Sequence, residues 1–320
     1  MAYSADFGQA AEAPAVYLTV IPTYMLTALT PGGGTVSVSP LETAYSSNKL
    51  VNVTANPAPG WSFLGWQADL TGTSLTSSVV MSRDKTVQAL FGTTLSTTTA
   101  GNGYTRIHPS SPLYPYGTVV RITAVPGPTR YFGVWGDAAS GNTNPLYFAI
   151  TNLNPTISCL FPSLGANQVS LTVIENGDGR VNVSPRANVY NVGSYVTLTA
   201  LPNAGQSFLA WTNDAQGTNN PLSVLLDRSE IIEAQFTKRP SLSARPPLEG
   251  PTPEGFRFAL AGEWLQPYRI DASTNLMDWN SFVVFTNTYG RTQFTDSSAN
   301  PQGTGTNGGY HRFYRALELR

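Results

Sequence analysis

The sequence is poor in reactive and charged side chains. Its 320 residues include one cysteine, two histidines and four methionines, and Asp, Glu, Lys and Arg together make up 12%. A single cysteine, Cys159, excludes any disulfide within the chain. That state suits the cytosol and equally suits bacterial surface proteins that fold without disulfides. A net charge of −1 gives no long-range field for nucleic acid or an anionic membrane, so neither partner is expected. No apolar run is long enough for a spanning helix, which argues against membrane insertion. Met1 to Ala15 has neither a basic start nor an apolar centre and does not read as a signal peptide. Walker, dinucleotide and zinc spacings are absent, as is a nucleophile elbow, so the expectation is no enzyme, no cofactor and no metal.

Thr, Ser, Asn, Gly and Pro take the place of the charged residues, a composition of short strands joined by turns. The length allows roughly two to four domains. One frame recurs three times without a gap, from Gly34 to Gly72, from Gly103 to Gly141 and from Gly179 to Gly217. A proline closes its first strand (Pro40, Pro109, Pro185), followed by a tyrosine (Tyr45, Tyr114, Tyr190). Then come Ala-x-Pro (Ala55, Ala124, Ala200) and Phe-x-x-Trp (Phe63 and Trp66, Phe132 and Trp135, Phe208 and Trp211). Internal repetition at about seventy residues indicates an array of small modules, not one large catalytic domain.

Within each copy apolar and polar residues alternate. Val51, Val53 and Ala55 share one face with Asn52 and Thr54 outside, and Val120, Ile122 and Ala124 repeat this with Arg121 and Thr123 outside. Val196, Leu198 and Ala200 do so again. Period two with β-branched residues predicts half-buried antiparallel strands. The turn before that strand carries Asn48, Gly117 and Gly193 at one offset, an exchange that a position with positive φ permits. Each module closes with an apolar strand ending in Phe91, Phe161 or Phe236.

The fold class expected is all-β, a tandem array of three small β-modules with a distinct, sandwich-like C-terminal β-module. The modules span 23–92, 93–163 and 167–237. A Pro-rich stretch over 238–254 reads as an extended linker, and 255–320 forms the C-terminal module. Residues 1–22 form an N-terminal extension. In it Val16–Ile21 nearly repeats Val169–Ile174, the opening strand of the third module, so 15–22 reads as a strand too many. Val16, Leu18 and Val20 are the candidates for pairing with a sheet edge of the same or another molecule.

Laid out as G-x-V-x-V-x-P, Y-x-x-G, V-x-L-x-A-x-P, F-x-x-W, Asp, Gly-Thr and a closing A-x-F, the array resembles the divergent internalin B-type repeats over about 22–237. The second copy departs from the pattern with Thr105 for Val and Cys159 for Ala. The resemblance implies a spacer and adhesion element of bacterial surface and secreted proteins, with no catalytic residues. Residues 255–320, with Tyr-x-Ile-x-Ala-Ser-Thr-Asn-Leu, Trp279 and the terminal Arg312–Arg315, resemble a module that closes secreted bacterial multidomain proteins.

The repeat serves as its own comparison. The frame tryptophans recur beside core strands, and the large aromatics of small cores are packing residues. Trp61 is aligned with Arg130 and Gln206, so its site need not be apolar; Trp61 and Trp264 are the candidate ligand-stacking residues. Asp69, Asp137 and Asp214 each bring one carboxylate to a polar turn, where an Asx-type turn is the expected use and a hard-cation site lacks ligands. His108 stands at the offset of Ser39 and Ser184, a surface substitution; His311 has no Cys or second His near it, and no local signature supports a triad, whose members need not be close in sequence. Cys159 replaces Ala89 and Ala234 and is expected to be a small buried residue. Together these point to a non-enzymatic extracellular protein of a bacterium: a surface stalk, matrix component or fibre subunit assembling through the N-terminal strand. The alternative is the carbohydrate-binding tail of a secreted carbohydrate-active enzyme. The partners expected are correspondingly a second copy of the chain, a polysaccharide or another surface protein.

Overall fold

The computed structural model describes residues 20–244, 255–296, 298 and 311–319, and among them all regular structure is strand. The first copy of the frame holds β1 (Thr23–Tyr24), β2 (Leu26–Leu29), β3 (Gly34–Ser39) and β4 (Tyr45–Ser46). It continues with β5 (Leu50–Pro57), β6 (Ser62–Ala68), β7 (Thr76–Val80) and β8 (Lys85–Thr93). One layer is the antiparallel sheet β3-β5-β7. In the other, β8 lies between β6, antiparallel to it, and β2, parallel to it. The inward faces of both layers meet in a core that includes Tyr45, Val51, Val53, Trp66, Val87 and Phe91.

The second copy repeats this plan with β9 (Ser96–Ala100), β10 (Gly103–His108), β11 (Tyr114–Pro115) and β12 (Val119–Pro126). Its remaining strands are β13 (Val134–Asp137), β14 (Leu146–Ala149) and β15 (Thr156–Leu160). Its layers are β10-β12-β14 and β13-β15-β9, the last pair again parallel. The third copy has β16 (Gln168–Val169), β17 (Leu171–Asn176), β18 (Gly179–Ser184) and β19 (Tyr190–Asn191). Then follow β20 (Ser194–Pro202), β21 (Phe208–Asn213), β22 (Leu222–Leu226) and β23 (Glu230–Phe236). Its layers are β18-β20-β22 and β17-β23-β21, with β17 parallel to β23.

Each column of the frame has a packing reason. A Cβ on Gly34 or Gly103 would lie 2.7 or 2.6 Å from the ring of Phe91 or Phe161, and at Gly179 the Phe236 ring fills the same space. The first frame glycine therefore exists to let the closing phenylalanine of its own module approach. The second has open space beside it but φ of +113° at Gly72, +90° at Gly141 and +108° at Gly217, which an L side chain adopts at a cost. The carbonyls of Gly72, Gly141 and Gly217 accept from the backbone N–H of Trp66, Trp135 and Trp211. The three indole N–H groups donate to the carbonyls of Ser74, Thr143 and Asn219 at 2.8–2.9 Å. All three indoles are buried, and truncating one would cost about 3–5 kcal/mol. The Tyr45 and Tyr190 hydroxyls donate to the carbonyls of the frame prolines Pro40 and Pro185, at 2.9 and 3.0 Å. The Tyr114 hydroxyl accepts from the N–H of Ser111. Pro40, Pro109 and Pro185 each follow a cis peptide bond. The offset of Asn48, Gly117 and Gly193 has φ of 64°, 81° and 86°, as the Asn-for-Gly exchange predicts.

Two expectations about this region need correction. Arg121 and Thr123 do not face solvent: they are 8% and 3% exposed, because the face of β12 that is open in the other copies is covered here. The frame aspartates do not share one use. Asp69 and Asp214 accept from the distant N–H groups of Thr86 and Ile231 at the start of the closing strand, and Arg83 pairs with Asp69. Asp137 instead takes the positive-φ position that Ala68 and Asn213 hold in the other copies. Val20 to Pro22 are exposed and join no sheet of their own chain, and residues 15–19, with Val16 and Leu18, lie outside the described residues.

Past the third copy, β24 (Ser241–Ala244) forms within the stretch read as linker and pairs antiparallel with β25 (Phe256–Ala261). The remaining strands are β26 (Gln266–Ser273), β27 (Asn280–Asn287), β28 (Arg291–Asp296) and β29 (Phe313–Glu318). They make two three-stranded sheets, β24-β25-β28 and β27-β26-β29, around an aromatic core with Phe258, Tyr268, Phe285, Phe294 and Tyr314. Trp279, expected in the core, lies half-buried under the Arg315 guanidinium, 4.4 Å from the ring centre.

The copies are joined by more than chain connectivity. β8 closes the first layer and then runs on, so that Gly92 and Thr93 pair with Pro115 and Tyr114 of the second copy. The equivalent short pairings, β1 with β4 and β16 with β19, stay within their own copies. One strand thus serves two modules, which fixes their relative angle. The C-terminal module turns back on the first two. Gln67 donates to the Arg291 carbonyl at 3.3 Å and Gln293 to the Gln88 side-chain oxygen at 3.1 Å, while Trp264 packs on the core around Tyr114.

Candidate functional site

Because the last module returns to the first, the four units surround a common cavity of about 740 Å³. All four contribute to its wall, among them Gln67 and Gln88 of the first, His108, Tyr116 and Arg121 of the second, and Asp178 and Arg180 of the third. Arg239, Glu263, Trp264, Tyr289 and Arg291 complete it from the chain beyond the third copy.

The floor between the second and third copies is a charged network. Arg121 lies 3.6 Å from Glu175, and it donates to the Gly177 carbonyl at 3.4 Å. Glu175 also accepts from the Tyr147 hydroxyl at 2.5 Å and from the Val181 N–H at 2.8 Å. Burial, with the Glu175 bond second, pushes the Tyr147 phenol up to about 12. Arg180 stacks over the Tyr147 ring at 4.4 Å, and Arg106 pairs with Glu233 at 3.3 Å. Glu175 precedes the bend at Gly177 and Asp178, and its carboxylate reaches into the neighbouring module. The signal that finds these residues is their singularity. The columns of Arg121, Glu175 and Tyr147 hold Asn52 and Thr197, Thr30 and Thr99, and Ser78 and Ser223. At these three positions the charged or aromatic residue that only one copy carries makes a contact between copies.

His108 is half-buried in the cavity wall, not a free surface substitution. Burial first, then Arg121, Lys238 and Arg106, push its imidazole down to about 4. It is therefore neutral at physiological pH and sits in a positive potential. Burial also holds the Asp178 carboxyl above its usual range, helped by Glu263. Lys238 pairs with Glu263 at 3.4 Å.

The two candidate stacking tryptophans both stand at module boundaries. Trp61 is half-buried, its ring 5.6 Å from that of Tyr116 in the second copy, and it lies over Gly33. Trp264 is half-buried between Tyr114, at 6.0 Å, and Tyr289, at 5.8 Å edge-on, and it also borders the cavity. The cavity brings Trp264 together with Tyr116, whose ring carries Trp61 on its other contact; Val20 is far out on the exposed N-terminal stretch.

Cys159 and His311, two of the reactive side chains among the described residues, stand apart from the cavity. Cys159 is 2% exposed in register with Trp135, and burial pushes its thiol up to about 11. His311 is exposed beside the Phe313 ring. Among the described residues no group of His, Cys, Asp and Glu is placed to hold a metal ion. Nor is any helix there long and apolar enough to cross a membrane.

Comparison with known proteins agrees with the frame. No curated protein sequence matches the chain. Among solved structures, the crystal structure of a tetra-tandem repeat in the extending region of a large adhesion protein is similar at 10% identity. The match covers 92% of this chain and 99% of that one, with a TM-score of 0.16, too low to support any conclusion about this protein. The model of the divergent InlB B-repeat domain matches residues 24–94 and 169–240. The second copy lies between those two matches and shares their strand order, parallel closing pair and frame. Over its first and third modules, somewhat less than half of its length, the chain is similar to divergent InlB B-repeat domains.

Proposed function

We propose that this chain is a non-enzymatic extracellular protein of a bacterial surface, with a structural or adhesive role. One observation supports this above others: the side chains that recur in all copies are consumed by packing. The frame glycines admit the closing phenylalanines, the tryptophans bond to their own loops and the tyrosines stay within the modules' cores. A repeat built this way presents surface and sets spacing. Its copy-specific residues bind modules to one another.

Of the possible forms, the return of the C-terminal module onto the first two favours a compact unit over an extended stalk. Such units become a fibre if the strand-like sequence 15–22 pairs with a sheet edge of the next copy, since head-to-tail contacts of that kind do not close. Negative-stain electron microscopy of the purified chain tests this. Filaments that vanish when residues 1–22 are removed support assembly through that segment, and unchanged filaments overturn it.

A second reading, the carbohydrate-binding tail of a larger enzyme, draws support from the aromatic and cationic wall of the cavity. It places binding inside the body of the chain.

A further inference from the structure

We infer that the inter-module cavity is a binding site for an acidic oligosaccharide, a run of sugars carrying carboxylates. The inference rests on the adhesive half of the reading above. The volume of about 740 Å³ lies in the range of small-molecule sites, roughly 300–1,000 Å³, and fits a few pyranose rings.

The charge of the wall selects the sign of the ligand. Four guanidiniums, from Arg121, Arg180, Arg239 and Arg291, face two carboxylates, from Asp178 and Glu263, in a chain whose net charge is −1. Lys238 already pairs with Glu263, which removes half of that opposition. Arg121 is committed to Glu175 and Gly177. Arg239 and Arg291 form no ion pair among the described residues, and Arg180 is held only by its stack on Tyr147. Three wall arginines are therefore without a carboxylate partner among the described residues, and a guanidinium binds a carboxylate with two parallel hydrogen bonds.

The apolar part of the wall selects the body of the ligand. Trp264, Tyr116 and Tyr289 border the cavity, and each is buttressed by another ring, so each presents a fixed aromatic surface. A fixed ring matches the C–H face of a pyranose, and it loses little side-chain freedom on binding. A free inorganic anion would use the guanidiniums but not these rings. An apolar ligand would leave the guanidiniums unpaired.

Isothermal titration calorimetry on the whole chain in 0.15 M salt tests the inference. The probes are oligogalacturonate, oligomannuronate and a hyaluronan hexasaccharide, with fully methyl-esterified oligogalacturonate and sodium phosphate for comparison. The expected result is that a uronate probe binds. Binding of oligogalacturonate should then fall about tenfold or more on esterification, and binding of any uronate probe should fall as much in the Arg239→Ala, Arg291→Ala double variant. Both arginines contact the rest of the protein through backbone atoms, Arg239 N–H to Gln206 and the Arg291 carbonyl to Gln67, so the variant keeps those bonds. An unchanged thermal melt confirms that it folds. Three results overturn the inference: no uronate binding, binding indifferent to the arginines, or phosphate binding as tightly as the sugars. None of them touches the structural role, which the microscopy decides separately.

Discussion

Arg121 of the second module and Glu175 of the third meet at 3.6 Å with 9% and 3% of their side-chain surfaces exposed. A buried pair is weak evidence of net stabilisation, but breaking it strands one charge in a dry site. Arg121→Ala or Glu175→Leu alone should each cost about 3 kcal/mol in urea melts, whereas the double variant should cost clearly less than their sum. Additive losses would mean that the two side chains act separately.

The histidine at the cavity wall makes a pH prediction with a definite sign. His108 titrates near 4 in the folded chain against 6.5 in the unfolded one, so the unfolded state binds its proton first. Its contribution is present above pH 6.5 and is lost as pH falls toward 4. The His108→Ser variant, which restores the residue of the other two copies, should lose less thermal stability than the native chain between pH 6.5 and 4. Parallel curves would show that the imidazole is not shielded.

The two frame glycines should fail differently. Gly179→Ala, at an ordinary backbone angle, places a methyl against the Phe236 ring and should cost about 1–3 kcal/mol by overpacking. Gly141→Ala meets no atom within 4 Å and should cost about 1 kcal/mol, from its φ of +90° alone. Replacing Phe236 by Leu should reduce the penalty at Gly179 and leave that at Gly141 unchanged, measured as chemical-denaturation midpoints.

Part of the packing was legible in the sequence, since recurrence assigned the frame tryptophans and Cys159 to the cores, while the separate reasons for the two frame glycines were not. Asn48 even disclosed its backbone angle, because only a few residue types share an offset with glycine. What period two could not show was which outward face becomes covered. Arg121 and Thr123 alternate like solvent residues and are buried only because another module lies on their sheet. Likewise Trp61 stood out as unmatched among the copies, but its partner Tyr116 belongs to a different module. Intra-module contacts repeat and so leave a pattern. Inter-module contacts occur once each and leave only exceptions.

The thiol of Cys159 should be silent in the native state. At 2% exposure, with burial pushing it up to about 11, it should react with a disulfide reagent at pH 8 only as fast as the chain unfolds. Reaction within seconds under native conditions would contradict the burial.

Closure of the four modules around one cavity is the central claim, and small-angle X-ray scattering of the monomeric chain tests it most directly. A compact chain of this length has a radius of gyration of about 20 Å, and four modules strung out in a line would approach roughly twice that. The account predicts a value near the compact limit, unchanged by moderate salt. A radius near the extended limit would contradict it, and with it the cavity.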